Sequence, residues 1–111
     1  MNVVALRGTL ARPISVRNAP SGTQLGQFQL STPRGEGPAL SVPIVVDQPS
    51  AALLRTAPGA ELVVVGAIRS RFWRAGGVTQ SRTEVVARTV LPANRSTPVL
   101  LALDQARAAI S

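Results

Sequence analysis

Arg69, Arg71 and Trp73 alternate along the stretch Ile68-Arg69-Ser70-Arg71-Phe72-Trp73-Arg74. A spacing of two is the repeat of a β-strand, so these three side chains leave the same face. A guanidinium binds phosphate oxygens through a rigid fork of donors and stacks on flat rings. An indole stacks on any nucleobase, a contact worth about 1–3 kcal/mol per base by alanine substitution. Arginines interleaved with an aromatic are what a platform for a single polynucleotide strand requires. Arg74 sits at the turn that follows, and Arg82 comes from the strand that returns. The bland alternative is a half-buried Trp73 whose arginines only solvate a hairpin. The charge of the whole chain decides between the two.

That charge is one-sided. All twelve basic residues are arginine, five acids oppose them, and the net charge is +7. Such a balance favours a polyanionic partner, nucleic acid before membrane. The chain has no Cys, His or Lys. That excludes a zinc finger, thiol chemistry, a Ser-His-Asp triad, a Schiff base and the usual P-loop. Glu36, Asp47, Glu61, Glu84 and Asp104 are scattered, with no spacing that suits acid–base work or a metal. We expect no enzyme, no cofactor and no metal. No apolar run approaches the roughly 18 residues of a membrane span. The chain starts directly on a strand pattern without a signal-peptide layout, so a cytoplasmic protein is expected.

The elements that position these residues read as strands. The 111 residues suit one domain. Only 3% are aromatic, so the core must be aliphatic. Residues 2–10 form a first strand in which Gly8 suggests a bulge or sharp bend. Ala19-Pro20-Ser21-Gly22 is a turn. Residues 23–31 form a second strand with Phe28 expected in the core, and 32–38 a Pro/Gly loop that carries Arg34. Gly35-Glu36-Gly37 is no phosphate cradle, because Pro38 interrupts it and no helix follows. Residues 40–46 form a third strand. Pro43 inside it demands an edge or a bulge. Ser50 to Thr56 suits a short helix opened by Pro49-Ser50. Residues 61–73 and 77–90 make a long hairpin across Arg74-Ala75-Gly76-Gly77. Arg7, Arg12 and Arg17 fall on the first strand and the turn after it, where they extend a phosphate track or are simply exposed.

Thr97-Pro98 reads as the start of a C-terminal helix, with Val99, Leu100, Leu103, Ala106 and Ile110 at helical spacing. The chain thus divides into a nucleic-acid-binding domain at 1–92 and a linker with a short helix or tail at 93–111. Three strands, a short helix and two strands is the layout of an OB-fold, a five-stranded Greek-key barrel. SH3-like barrels also have five strands, so the layout leaves both open.

Five pieces of the chain, in order, resemble bacterial single-stranded DNA-binding proteins. They are Asn2-Val3-Val4-Ala5-Leu6-Arg7-Gly8-Thr9-Leu10, Val16-Arg17-Asn18-Ala19-Pro20-Ser21-Gly22-Thr23 and Gln27-Phe28-Gln29-Leu30-Ser31-Thr32. Gly59-Ala60-Glu61-Leu62-Val63-Val64-Val65-Gly66 with Arg69-Ser70-Arg71-Phe72-Trp73 is the most specific, and Thr83-Glu84-Val85-Val86-Ala87 closes the series. The resemblance implies an OB-fold and binding of single-stranded DNA without sequence preference. It further implies a homo-oligomer, usually a tetramer built from dimers, serving replication, repair and recombination. Arg69, Arg71 and Trp73 would occupy its DNA-contacting positions.

The chain departs from that family in two ways. The loop after the second strand and the third strand carry no aromatic, and the chain ends without an acidic tip. Fewer stacking sites imply binding that leans on charge, and the missing tip implies no tail-mediated recruitment. Val42-Pro43-Ile44-Val45-Val46 also resembles the primosomal replication protein N family, a shorter dimeric OB-fold that acts in replication restart. Trp73 departs from that pattern. Two readings result: a nonspecific single-stranded DNA binder using Arg69, Arg71, Arg74, Arg82, Arg17, Arg34, Arg7 and Trp73, or an accessory module that acts through replication or restart proteins. RNA stays open, since stacking and phosphate contacts do not separate it from DNA.

Overall fold

The computed structural model describes residues 2–110. Among them are six strands and two helices: β1 (Val4–Leu10), β2 (Ser15–Asn18), β3 (Gln24–Thr32), β4 (Leu40–Asp47), α1 (Ala51–Leu54), β5 (Glu61–Ala75), β6 (Val78–Pro92) and α2 (Ser96–Ile110). The sheet order is β1-β5-β6-β4-β3-β2, and β1 also pairs with β3. Five strands therefore close into a ring, with β2 an added edge on β3. This mostly-β architecture is consistent with an OB-fold.

The ring closes around aliphatic side chains. In β3 every second residue is buried, from Gly26 through Phe28 and Leu30 to Thr32. Phe28 and Leu30 join Leu10, Ile44, Leu62, Val64 and Val85 in one cluster. Phe28 thus lies in the core, as its position between Gln27 and Gln29 suggests. The register Phe28↔Ile44 and Ile44↔Val85 carries the inward face across β3, β4 and β6.

Three details differ from the sequence reading. The chain forms a sixth strand, β2, at residues expected to form a turn. All four of its residues are exposed, so no apolar alternation marks it. The bulge falls between Val65 and Gly66 of β5 rather than at Gly8, with Arg88 the extra residue on β6. Gly8 is instead a point of close approach: a Cβ there would run into the Ser31 carbonyl where β1 leaves β5 for β3. The third difference is the face that α2 buries, described below. Pro43 stands where β4 pairs with β3 alone, one residue before pairing with β6 begins, so its missing N–H costs no ladder bond on that side.

β5 and β6 outrun the ring. Pairing with β1 ends at Gly66, and pairing with β4 reaches no further back along β6 than Val85. From Ser70 to Thr83 the two strands pair only with each other and form a free arm. Its turn is Gly76-Gly77, both with positive φ (59° and 79°), as a two-residue hairpin turn demands. The Asn2 side chain marks the arm's root. Its Oδ1 accepts from the Ile68 N–H at 2.8 Å and its amide donates to the Ile68 carbonyl at 2.6 Å.

The helices complete the chain. Ser50 caps α1, its hydroxyl accepting from the Leu53 N–H at 3.1 Å. α2 begins at Ser96, one residue before Thr97. Pro98 falls in its first turn, where a missing N–H leaves no intrahelical bond unmade. α2 packs Val99, Ala102 and Ala106 on Val63, Val65, Leu91 and Ala93. Of the apolar residues at helical spacing, Val99 and Ala106 pack on the sheet while Leu100, Leu103 and Ile110 are exposed, and Ala102, outside that set, is the buried residue of the helix.

Candidate nucleic-acid interface

On β5 the odd-numbered residues point out of the ring. Val63 and Val65 are covered by α2, and Arg69, Arg71 and Trp73 lie further along the same side, on the arm. Directly opposite residues of an antiparallel pair share a face. The register Arg69↔Glu84, Arg71↔Arg82 and Trp73↔Gln80 therefore brings Arg82 and Glu84 onto that face. The same outward side continues over Pro43 and Val45 of β4, Gln27 and Gln29 of β3, and Ser15 and Arg17 of β2. A groove of about 330 Å³ runs here, lined among others by Arg12, Gln27, Gln29, Pro43, Arg82 and Glu84.

The electrostatics of this face are uneven. Glu84 is 3% exposed, yet it sits on the outward side with its carboxylate between two guanidiniums. Arg69 Nη2 lies 3.4 Å and Arg71 Nε 3.6 Å from the same oxygen, Oε1. Both arginines keep about half of their side chains in solvent, 50% and 40%. Arg71 also leans over Trp73, its guanidinium carbon 5.9 Å from the ring centroid, within cation–π range. Trp73 is 42% exposed, so one part of the indole is held by the arm and the rest is open. Among the described residues Arg12, Arg17 and Arg82 have no acidic partner, which leaves the groove positive. Phosphate oxygens fit such donors, and a base fits the open indole.

The residues singled out in the sequence distribute as follows. Arg69, Arg71, Trp73 and Arg82 share one face, and Arg17 lies on its continuation. Arg74 points to the opposite side of the arm, paired with Thr79. Arg34 is exposed in the loop between β3 and β4, at the end of the sheet toward which the arm projects. Arg7 stands beside α2 rather than the groove, and its Nη2 donates to Glu61 Oε2 at 2.9 Å. Sequence reasoning missed Gln27, Gln29 and Glu84; Arg12, weighed there only as an extension of a phosphate track or an exposed residue, lines the groove. The glutamines were within reach: if Phe28 points inward, its two neighbours point outward.

No group that could hold a metal occurs among the described residues, and none of their helices is long and apolar enough to cross a membrane. No curated protein matches the chain. Residues 1–92 match the model of the single-strand binding protein family. With most of its length covered, and a basic, aromatic-bearing outer face on a closed sheet, the chain belongs to the single-strand binding protein family.

Proposed function

We propose that the protein binds single-stranded DNA without sequence preference and performs no catalysis. The strand would lie along the outer face from the β2–β3 groove to the arm. Arg69, Arg71 and Arg82 hold phosphates, Trp73 stacks a base, and Arg12 and Arg17 extend the track. Arg34 clamps from its loop. The observation that carries this reading is that Arg69, Arg71 and Arg82 share one face with a half-open indole, over which Arg71 leans. The family match supports it and lends nothing to the accessory-module reading.

The fold is then an OB-fold Greek-key barrel to which β2 adds an edge, with residues 1–92 the binding domain and 93–111 a linker and docked helix. Such a domain covers roughly 4–16 nucleotides. Before it meets β3 at Thr9, β1 has no partner among the described residues on the side away from β5, and that edge suits pairing with a second copy, in keeping with a dimer or tetramer. Service in replication, repair or recombination, in the cytoplasm, completes the reading.

Intrinsic fluorescence during titration with poly-thymidine, at low and moderate salt, tests it. Trp73 is the sole tryptophan, so the signal comes from the platform itself. Saturable quenching that weakens with salt is expected. No quenching, with no mobility shift of a labelled oligonucleotide, overturns the reading. Equal or tighter binding of an RNA oligonucleotide would reassign the ligand.

A further inference from the structure

Phe72 is 70% exposed, the most open of the large apolar side chains on the arm. Alternation puts it on the inward side with Leu62, Val64 and Ile68, as the sequence suggests. The ring has ended before Phe72 is reached, so no core remains for the ring to enter. Phe72 and Trp73 therefore present their rings to opposite sides of a two-stranded ribbon.

The surroundings of Phe72 have a consistent chemistry. Arg74 lies two residues on along the same side, and the register adds Ser70, Thr79, Ser81 and Thr83 to it. These are one guanidinium and four hydroxyls around one aromatic ring. The sequence from Arg69 to Thr83 contains no acid. Among the described residues Arg74 has no ion-pair partner. A Cβ on Gly76 or Gly77 would meet nothing within 4 Å, so the tip between the two faces is open.

We propose that this side of the arm is a second single-stranded DNA platform, with a base stacked on Phe72, a phosphate on Arg74 and the hydroxyls donating to the backbone. The proposal rests on the binding reading above. A strand long enough passes from the Trp73 face around the open tip to the Phe72 face, and a short one occupies only the first.

The test compares an oligothymidine of about five nucleotides, near the lower end of an OB-fold's span, with one several times longer. In the full-length protein, Phe72→Ala weakens the long oligonucleotide by about fivefold or more. It leaves quenching of Trp73 by the short one unchanged. In the swapped variant Phe72→Trp/Trp73→Phe, the long oligonucleotide quenches the relocated indole and the short one does not. Unchanged affinity for the long oligonucleotide in Phe72→Ala overturns the proposal. So does a change in the mass of the assembly by light scattering with affinity intact, which would assign the ring to contact between copies. If Trp73 in the unaltered protein is not quenched at all, the primary reading fails, and that result is distinct from either of these.

Discussion

Arg69 and Glu84 face each other across the base of the arm, and the carboxylate that the arginine meets is almost fully buried on an otherwise basic surface. Glu84 occupies the position where an incoming phosphate would seek the same two guanidiniums. It is a resident competitor. Replacing it with Gln keeps the shape and an acceptor oxygen but removes the charge. Glu84→Gln should bind poly-thymidine about three- to tenfold more tightly at low salt, the size expected of one charge about 4 Å from a phosphate at a dielectric close to that of water. The gain should shrink as salt rises. Weaker binding in the fluorescence titration would instead assign Glu84 to holding the arginines in place.

Trp73→Ala should lose about 5- to 150-fold in affinity, the equivalent of one stacked base. Trp73→Phe should retain most of the binding. The side chain is half open on a free arm, so the unfolding free energy in urea should change by about 1 kcal/mol or less. Anisotropy of a labelled oligonucleotide reads the affinity once the indole is gone.

Arg69→Ala, Arg71→Ala and Arg82→Ala should each make the log–log salt dependence shallower by about 0.7, the contribution of one phosphate contact on a single strand. Arg7→Ala is the control. Its guanidinium is tied to Glu61 at the α2 end, so the salt slope should not move, and stability should fall by at most about 1 kcal/mol, the range of an exposed pair. The double variant Arg69→Ala/Arg71→Ala strands a buried carboxylate, so it should unfold at lower urea than either single variant.

Gly8→Ala places a methyl group against the Ser31 carbonyl where the ring closes. Backbone opposes it there, so the strand must shift. A loss of about 1–3 kcal/mol in urea unfolding is expected, the usual cost of overpacking. The arm lies at the other end of β5, so its oligonucleotide affinity per folded molecule should be preserved.

Much of this was legible in the sequence, and the gaps have physical causes. The common face of Arg69, Arg71 and Trp73 follows from alternation alone, because β5 carries no extra residue of its own. Cross-strand partners were not legible, since they depend on where the turn falls. Setting the turn at four residues, Arg74 to Gly77, shifts every pairing. Setting it at Gly76-Gly77 joins Ala75 to Val78 and thereby Arg69 to Glu84. β2 was hidden because an exposed strand has no apolar period to betray it. The face that α2 packs was not legible because helical spacing does not tell which side meets Val63 and Val65. Phe72 shows the limit of periodicity: it told which side the ring takes, but not that the sheet would end first.

The free arm has a further consequence, for the protein in its empty state. From Ser70 to Thr83 both strands expose an unpaired row of backbone donors and acceptors, the kind of edge on which chains add to one another and fibrillise. Arg69, Arg71, Arg74 and Arg82 line that ribbon on both sides and repel a second ribbon of the same charge. The guanidiniums suited to gripping a polyanion thus also keep the ligand-free molecules apart.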